Sequence, residues 1–460
     1  MLLRARQQLE RPKITSSPHG KKTNLEPRRT GTQFLQQAAK DLPISYSNKA
    51  MQTRINRKEN DPGQSGRNGD THSPDRIKIT PGNRSADRTG RSTGAAKIRE
   101  ALVEDYAQIA ALQAEHDFPT TSYEEWVHLW IHNPAYNQFE EKLPIGWVLE
   151  RDDRQVVGYL GNIPLFYEFN GQRLLACVAH SWVVDKRYRS YSLVLLDRYF
   201  SQKSVDLFLN ATVGPAAAEP FAVFKSLPVP VGAWDHSAFW ITNCQGFTAR
   251  WLAMKGIPFS TPLGYLLSMI PFVNQTFVKR APNGDSKKLA LHHCTLIDNR
   301  FDIFWAELKH AHPNVLLGVR SREALEWHFQ LALSRNKAWL VTASKGTAII
   351  AYAIFFRHDN EVLRLKRMRL VDFQSLVGDA ALLVPMLAWA VDRCRREGID
   401  MLESIGFSSD KGKLIDKIAP YKRKLPSWLY FYKAGDKSLA ERLSNPSAWD
   451  PSQFDGDASL

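Results

Sequence analysis

The chain has 460 residues, of which 43% are hydrophobic and 23% are charged, so it is long enough for two or three globular domains. Its formal charge of +14 is concentrated at one end: residues 1–96 hold 19 Lys and Arg against 8 Asp and Glu, whereas residues 97–460 hold 42 against 39. The greater part of the chain is therefore close to neutral. This argues against a nucleic-acid-binding protein, because such proteins present a basic face.

Residues 1–96 are rich in Arg, Gly, Ser, Thr, Asn and Pro and contain few large apolar side chains. They cannot bury enough surface to offset the entropy that is lost on ordering, so we predict a disordered basic segment. Two interpretations stay open: a tail that contacts acidic partners, or a leader upstream of a later start, for which Met51 is one candidate.

The sequence also indicates the compartment. Its four cysteines have no metal-ligand spacing and are predicted to be reduced: Cys177, Cys244, Cys294 and Cys394. The first residues contain too short an apolar run for a signal peptide. The longest apolar stretch, residues 262–278, contains Pro271 and is too short to cross a bilayer, so we expect a buried helix or, as the alternative, an edge that touches a membrane. A cytoplasmic protein without a transmembrane segment is the expectation.

The predicted elements begin at Ile98 with a short strand, which two helices follow. Ser122 and Glu125 have the spacing of a capping box, so the second helix is expected to start after Ser122. A meander of three strands comes next, then a turn and a helix, a further strand and a short helix. The strands are expected over residues 146–151, 155–169, 173–185 and 205–213, and the last helix over residues 215–227.

A similar order returns further along the chain. Ser321 is expected to cap a helix, and a hairpin, a strand, a helix and a strand follow. These elements are predicted over residues 320–336, 339–356, 361–373, 381–397 and 399–407. Aromatic residues occupy matching places in the two halves: Trp126 and Trp327, Trp147 and Trp339, Tyr159 and Tyr352. The pattern indicates a degenerate internal duplication, with chance agreement of a few aromatics as the alternative.

Residues 183–196, with the sequence VVDKRYRSYSLVLL, carry the most informative pattern. An apolar strand ends there, a short polar turn follows, and an apolar helix begins. Free amide groups and the dipole at the start of a helix form a natural cradle for phosphate, and Arg189 adds a positive charge. We expect the amide hydrogens around Ser190 to Val194 to converge on a pyrophosphate.

The first half resembles a GNAT-superfamily acyltransferase. Members of that superfamily carry an Arg/Gln-x-x-Gly-x-Gly/Ala turn after a strand, and the backbone of the turn holds the pyrophosphate of coenzyme A. Arg189 matches the first position, whereas Ser192 replaces the first Gly and Val194 replaces the Gly/Ala. Ser192 brings a hydroxyl that could itself donate to phosphate. The next block of the family begins at an Asn that ends the following strand, and Asn210 is its counterpart.

The second half resembles another unit of this type that has lost the turn, because residues 374–379 contain no Arg. Tandem arrangements of this kind resemble bacterial proteins that are associated with cell-surface polysaccharide or peptidoglycan modification. Trp449-Asp450 and the Asp-Gly-Asp sequence at residues 455–457 also resemble C-terminal tails in that group.

The resemblance implies an α/β (α+β) fold with two GNAT-like units, each a mixed, mainly antiparallel sheet flanked by helices. The predicted organisation is a disordered basic segment over residues 1–96, a donor-binding unit over 97–231, a helical connector over 232–290, a degenerate second unit over 291–436, and a C-terminal helix and tail over 437–460.

The resemblance also implies acetyl-CoA or another acyl-CoA as co-substrate, without a metal ion. The residues expected to bind this co-substrate are Val183, Val184, Arg189, Ser190, Tyr191, Ser192, Leu193, Val194 and Asn210.

Acyl transfer needs a base that accepts a proton, and the family often places it on the strand before the turn. His180 is the titratable residue of that strand, and regular alternation puts His180 and Trp182 on one face. The alternative is a partly buried histidine with a single hydrogen bond.

The family's acid is frequently a Tyr on the helix after the Asn, but this chain has Phe221 or Phe224 near that place. Tyr191 could replace it, as could Tyr188 or a water molecule. Glu219 lies close in sequence and could act instead. Its alternative is a carboxylate near the start of a helix that faces solvent.

A basic strand lies in the second half. Arg367 and Arg369 share a face, and with Arg364 and Lys366 they could line a groove for an anionic acceptor or an acyl-carrier partner. The alternative is the solvated outer face of a strand.

Together these features predict transfer of an acyl group from acyl-CoA, or another acyl thioester, to an amine or hydroxyl of a small-molecule or glycan-precursor acceptor. Two alternatives stay open: a Fem-like aminoacyl transferase that uses aminoacyl-tRNA, and a non-catalytic scaffold whose acyl-CoA site has decayed. No specific nucleic-acid partner is expected.

Overall fold

The computed structural model describes residues 95–138, 143–255 and 290–460, except for residues 233, 362, 408 and 426–428. Nearly all of the predicted disordered segment, and the whole apolar stretch 262–278, lie outside the described residues. Within the described ranges, no helix is both long enough and apolar enough to cross a membrane.

Helices and strands alternate along the described chain. The helices are α1 (Tyr106–Glu115), α2 (Tyr123–Ile131), α3 (Pro134–Asn137), α4 (Ser192–Phe200), α5 (Pro215–Val223), α6 (Cys244–Met254), α7 (Arg300–Ala311), α8 (Arg322–Ser334), α9 (Leu383–Arg396), α10 (Ser409–Ile418) and α11 (Lys437–Leu443). The strands are β1 (Ala96–Glu100), β2 (Gly146–Arg151), β3 (Val156–Phe169), β4 (Gln172–Val184), β5 (Leu207–Val213), β6 (Leu227–Pro228), β7 (His236–Ile241), β8 (Ala290–Cys294), β9 (Leu317–Gly318), β10 (Ala338–Lys345), β11 (Ala348–Arg357), β12 (Arg367–Ser375), β13 (Met401–Ile405), β14 (Tyr421–Lys424) and β15 (Leu429–Ala434).

Several helix starts have the predicted caps. Ser122 Oγ accepts a hydrogen bond from the Glu125 amide, and the Glu125 carboxylate accepts one from the Ser122 amide, which completes the capping box of α2. Ser321 Oγ caps α8 in the same way through the Ala324 amide. The predicted positions of both helices are therefore confirmed.

The first sheet has the order β1-β2-β3-β4-β5-β15-β6, with β9 beside β3. Neighbouring strands are antiparallel except for the parallel pair β4 and β5. One face packs against α1 and α2, where Ile109 and Trp130 share a buried cluster with Ile163. The other face packs against α4, where Leu195 shares a cluster with Cys177.

The second sheet has the order β14-β7-β13-β12-β11-β10-β8, and its single parallel pair is β12 and β13. Helix α9 covers one face, and α7 and α8 cover the other. The predicted fold class is confirmed: the chain forms two mixed, mainly antiparallel sheets, each flanked by helices.

Both sheets follow one plan. Strand by strand, β8, β10, β11, β12, β13, β7 and β14 repeat the order of β1, β2, β3, β4, β5, β15 and β6. Each member of the matched aromatic pairs lies on the corresponding element, as Tyr159 on β3 and Tyr352 on β11 do; both are fully buried. This order supports the predicted internal duplication.

The two units exchange strands. β15 comes from the C-terminal half and lies beside β5 in the first sheet, while β7 comes from the first half and lies between β13 and β14 in the second. The stretch 232–290 was predicted to be a helical connector, and for β7 that prediction is wrong. Its sequence HSAFWI is almost wholly buried, and a short apolar run of this kind does not distinguish a central strand from a buried helix.

Residues 449–460, here called the C-terminal tail, pass along the first sheet, and most of them are buried. Ser452 Oγ donates to the Asp372 carboxylate (2.8 Å), and Ser459 Oγ lies 2.8 Å from His328 Nε2. Between these two contacts, Asp455 lies 3.3 Å from the guanidinium of the fully buried Arg320. The tail is therefore held at several points against residues of both units.

Candidate functional site

The parallel strands β4 and β5 separate part of the way along their length. They are paired at Ala176–Leu207, Cys177–Phe208 and Val178–Leu209, and the described pairing stops there although β4 continues to Val184 and β5 to Val213. On its other side β4 stays paired with β3. A gap therefore opens within the first sheet, and it separates backbone groups of β4 and β5 that a regular sheet would bond to each other; the Ala211 carbonyl of β5 accepts instead from Trp234 Nε1 (2.9 Å).

A β-bulge lies in β4 next to this gap. Ser181 has φ +53°, and the register with β3 shifts between Tyr159 and Gly161. Val178 and Val183 consequently pack in the same core cluster although they are five positions apart. The prediction that His180 and Trp182 share a face is therefore wrong: Trp182 packs against Phe221 of α5 (ring centroids 5.9 Å), whereas His180 faces the C-terminal tail.

His180 is 17% exposed, and its Nδ1 is shielded from solvent without a hydrogen-bond partner among the described residues. The nearest carboxylate is that of Asp457, whose Oδ2 lies 3.9 Å from Nδ1. Thr212 Oγ1 donates to both oxygens of the same carboxylate, at 3.1 and 3.2 Å. The structure thus brings together His180 from β4, Thr212 from β5 and Asp457 from the tail.

Sequence reasoning did not identify Asp457 as a site residue. It noted only that residues 455–457 resemble the tails of related proteins. Gly456 of this segment has a backbone conformation and a close contact that favour glycine. Its φ is +98°, and a Cβ added to it would lie 2.7 Å from Ala211 Cβ. A glycine here lets the tail approach β5 closely enough to place Asp457 beside Thr212.

Asn210, predicted to end a strand near the ligand, lies in β5 one residue beyond the last pair with β4. It is 3% exposed, and its amide faces the Tyr199 hydroxyl, but neither amide atom makes a hydrogen bond of good geometry in the described chain. Buried amides are normally bonded, so this group is available to a ligand that enters the gap.

The turn after β4 is a 3₁₀ turn over Lys186–Tyr191, and α4 begins at Ser192. Asp185 caps it: the carboxylate accepts hydrogen bonds from the Arg187 amide (2.8 Å) and guanidinium (2.8 Å). These bonds hold the pKa of Asp185 below its usual range, against the effect of its burial. The turn is thus locked at its start by a local ion pair.

The expected convergence of amide hydrogens is only partly realised. The amide and the hydroxyl of Ser192 both donate to the Arg189 carbonyl, so neither faces outward to a phosphate. The 3₁₀ geometry of the turn supplies that acceptor. The Arg189 side chain itself is exposed, and among the described residues it has no ion pair or hydrogen bond. Arg189 and Lys186, which is exposed and has no described ion pair either, are therefore the charged groups of the turn that are available to an anion.

The other predicted residues are distributed along this edge of the first sheet. Val183 is buried, Val184, Tyr191 and Val194 are half-buried, and Ser190 and Leu193 are exposed. Tyr191 packs near Tyr188, with ring centroids 6.4 Å apart, and Glu219 lies on the exposed side of α5. No hydrogen bond or ion pair in the described ranges joins Tyr191 or Glu219 to His180, so their catalytic roles stay predictions.

The second sheet has the corresponding strands but different side chains. Gln374 pairs with Tyr352 as Val183 pairs with Tyr159, and Asp372 pairs with Ile354, two residues after Tyr352, as His180 pairs with Gly161, two residues after Tyr159. Lys411 of α10 also donates to the Phe373 carbonyl (3.0 Å) beside this position. The second unit therefore offers no imidazole there, and a lysine covers the backbone next to it.

The proposed anion groove on β12 is contradicted. Arg367 and Arg369 do share a face, but they are 1% and 2% exposed and contact the buried Glu403, at 3.6 and 3.2 Å. Burial alone would raise the pKa of Glu403. The guanidinium groups of Arg423, Arg367 and Arg369 nevertheless lower this pKa well below its usual range. Both arginines are therefore internal partners of Glu403, and Arg369 is in register with Glu403 on β13.

A group of possible metal ligands lies near the turn: Glu115, His116 and Asp185 have ligand atoms within 4.8 Å of one another. The Asp185 carboxylate is engaged by Arg187, whose positive charge opposes a cation at the same place. The arrangement favours the ion pair over a metal centre.

No protein-family model matches the chain, and no curated protein is significantly similar to it in sequence. Similar solved structures include Saccharomyces cerevisiae N-myristoyltransferase with bound myristoyl-CoA, at 12% identity over 88% of this chain and 92% of that chain, with a TM-score of 0.49. A GCN5-related N-acetyltransferase from Anabaena variabilis has 13% identity over 74% and 73%, with a TM-score of 0.43. A probable N-acyltransferase from Enterococcus faecalis has 12% identity over 74% and 73%, with a TM-score of 0.45. At these TM-scores and identities, the similarities assign neither a family, an activity nor a site residue to this chain.

Proposed function

We propose that the first unit binds acetyl-CoA or another acyl-CoA in the gap between β4 and β5 and transfers the acyl group to an amine or hydroxyl acceptor. The observation that carries this proposal is the gap itself, because two parallel strands separate there next to an exposed arginine and a buried amide that lacks a well-formed hydrogen bond.

The gap suits the extended, amide-bearing arm of coenzyme A. Beyond Val178 and Leu209, β4 and β5 present backbone donors and acceptors, and an extended chain that carries amides can bond to such an edge as another strand would. The Asn210 amide adds a donor and an acceptor. Leaving a buried polar group unbonded costs about 1–3 kcal/mol, and a ligand that bonds to Asn210 would recover that energy.

The turn at the end of β4 suits the phosphate end of the same ligand. Arg189 is exposed at the start of α4, where the helix dipole also favours an anion. Because the Ser192 amide and hydroxyl are bonded to Arg189, most of the attraction would come from the guanidinium and the remaining amides of the first turn of α4.

The chemistry would be acyl transfer by direct attack. The nitrogen or oxygen of the acceptor attacks the thioester carbonyl, the new C–N or C–O bond forms, and the C–S bond breaks. His180 would take the proton of the attacking group and return a proton to the departing thiolate, which leaves as the thiol of coenzyme A. The net change is therefore an acylated acceptor and free coenzyme A, without an oxidant, a reductant or a metal.

The second unit would contribute to the acceptor side. Its position equivalent to His180 is Asp372, whose carboxylate pairs with Arg320, and Arg367 and Arg369 are buried, so these two arginines do not bind an acyl-carrier partner. For the acceptor, the sequence resemblance favours a small molecule or a glycan precursor with a free amine or hydroxyl.

Isothermal titration calorimetry with acetyl-CoA tests the donor site. Removing a charge-assisted contact to phosphate costs about 1.5–3 kcal/mol, so Arg189→Ala should weaken the binding of acetyl-CoA roughly 10- to 100-fold. Arg198→Ala is the matched control, since Arg198 is also exposed on α4 but lies in its last turn. This control should bind acetyl-CoA like the wild type.

Two results would overturn the proposal. One is the absence of heat with both acetyl-CoA and octanoyl-CoA at millimolar concentration, which would favour the non-catalytic scaffold. The other is equal binding by Arg189→Ala and wild type, which would place the donor elsewhere.

A further inference from the structure

The C-terminal tail places the carboxylate of Asp457 beside His180. Among the described residues, this carboxylate takes part in no ion pair except the one with His180. The Asp457 side chain is 12% exposed. Lysine and arginine are absent from the described ion pairs of this carboxylate. A partly buried carboxylate without a cationic partner is costly, and a neighbouring imidazole lowers that cost when the imidazole becomes charged.

Four contacts hold this carboxylate in place. Thr212 of β5 donates to it, Gly456 brings the chain against Ala211, and Ser459 anchors the following residues through His328. Ser452 anchors the preceding residues through Asp372. Asp457 is thus fixed between two anchor points and directed at the Nδ1 side of His180.

The geometry separates the two nitrogens of His180. Nδ1 is shielded from solvent and faces Asp457, so the exposed part of the ring is the side that carries Nε2. The 3.9 Å separation between Nδ1 and the Asp457 carboxylate is about 1 Å longer than a hydrogen bond. Contacts of this kind are often long in unliganded enzymes and shorten when the substrate binds.

We infer that Asp457 is a positioning residue for the proposed acyl transfer: it accepts a hydrogen bond from Nδ1–H of His180 and thereby leaves Nε2 as the basic nitrogen. This inference rests on the proposed function. As the acceptor attacks the thioester carbonyl, its proton moves to Nε2, and Asp457 stabilises the imidazolium without becoming protonated. The same proton then moves from Nε2 to the thiolate as the C–S bond breaks.

The experiment compares full-length wild type with Asp457→Asn, which keeps the size of the side chain and removes its charge. Acetyl-CoA is the donor, glucosamine is the amine probe, and release of the thiol is followed. Positioned proton transfer contributes roughly 10²- to 10⁴-fold, so kcat should fall by about that factor while KM for acetyl-CoA changes less than twofold. Asp457→Glu should recover part of the lost rate.

A spectroscopic readout makes the test independent of the acceptor. In protein labelled with ¹⁵N-histidine, the ring nitrogens of His180, identified by their loss in His180→Gln, should show Nδ1–H as the main neutral tautomer. Asp457→Asn should shift that tautomer ratio. The matched control is Asp450→Asn, which removes a carboxylate from the same tail but one that pairs with Lys411, and it should leave the His180 signals and kcat unchanged.

The outcomes distinguish the inference from the function on which it rests. If wild type fails to bind acetyl-CoA, the proposed function fails and the inference with it. If acetyl-CoA binds and Asp457→Asn leaves the His180 tautomer and kcat unaltered, the inference alone is overturned. Equal losses in Asp450→Asn and Asp457→Asn would also overturn it, since they would reflect a general disturbance of the tail.

Discussion

At the scale of single residues, the site combines positions that are near in sequence with one that is very distant. His180 and Arg189 lie on one strand and the turn that follows it, whereas Asp457 is 245 positions away from its partner Thr212. The type and place of His180 and Arg189 follow from a local strand–turn–helix pattern. No local pattern connects Asp457 with β5, because that contact depends on the course of the whole chain.

The same scale explains the errors. Arg367 and Arg369 were predicted to bind an anion because two arginines on one face of a strand have that chemistry. Their actual partner, Glu403, lies on a neighbouring parallel strand that follows a helix of fourteen residues. His180 and Trp182 were assigned to one face because alternation is regular in an ideal strand, and the bulge at Ser181 breaks it.

One prediction at this scale concerns stability and pH. Asp105 accepts two hydrogen bonds from Arg99 and one from the Leu102 amide. Burial alone would raise the pKa of Asp105, but these hydrogen bonds lower it. Because the folded-state pKa is lowered, the stabilisation is present above the unfolded-state pKa and is lost as the pH falls through the folded-state value. Asp105→Asn should therefore reduce the free energy of unfolding in urea by about 1.5–3 kcal/mol at pH 7.

The loss should shrink as the pH falls below about 4, since the wild-type carboxyl then becomes protonated as well. Asp153→Asn is the control: Asp153 pairs with Arg151 but its side chain is 55% exposed, so the cost should stay below about 1 kcal/mol. A loss at pH 7 that is equal for both variants would contradict the role given to Asp105.

At the scale of elements, the helices and the meander could be predicted because their signals are local. The capping residues Ser122 and Ser321 mark two helix starts, and polar turns separate the first strands. The pairing of the strands could not be predicted in the same way. β7 and β15 each lie in the sheet of the other unit, and their own sequences do not state which neighbour they will bond.

Gly456 gives a prediction for the tail as an element. Alanine there would require φ near +98° and would place its Cβ 2.7 Å from Ala211 Cβ, so the tail would have to move away from β5. We expect Gly456→Ala to lower both the melting temperature and the rate of acetyl transfer from acetyl-CoA to glucosamine, because Asp457 moves with the tail.

Gly346→Ala is the control that separates the effect of backbone strain from the effect of displacing the tail. Gly346 has φ +63°, but nothing lies within 4 Å of an added Cβ. This control should show the cost of the backbone conformation, about 1 kcal/mol, and a normal rate. A normal rate in Gly456→Ala would show that the close approach of the tail is not needed for transfer.

At the scale of the whole molecule, the exchange of strands joins the two units. Unfolding the second unit would remove β15 from the first sheet, and unfolding the first would remove β7 from the second. The reciprocal contacts of His128 and Trp327, where each side chain bonds to the other residue's carbonyl at 2.7 and 3.0 Å, add a direct link between α2 and α8.

The units should therefore unfold together. We expect tryptophan fluorescence and far-ultraviolet circular dichroism to report one coincident transition in urea. Two transitions with different midpoints would contradict the linkage, since they would show that one sheet stays folded without the strand that the other unit supplies.

The asymmetry of the two units is also a property of the whole molecule. They share one strand plan, yet at equivalent positions the first has His180, whereas the second has Asp372 with the lysine contact at the neighbouring Phe373. Under the proposed function, the first unit carries the groups for acyl transfer and the second unit supports it.

A crystal structure of the protein with coenzyme A tests most directly whether the gap between β4 and β5 holds the acyl donor. We expect density for the pantetheine arm between β4 and β5, within hydrogen-bonding distance of the Asn210 amide, and a pyrophosphate beside Arg189. Coenzyme A bound at another surface, or a gap that stays empty at saturating coenzyme A, would contradict this expectation.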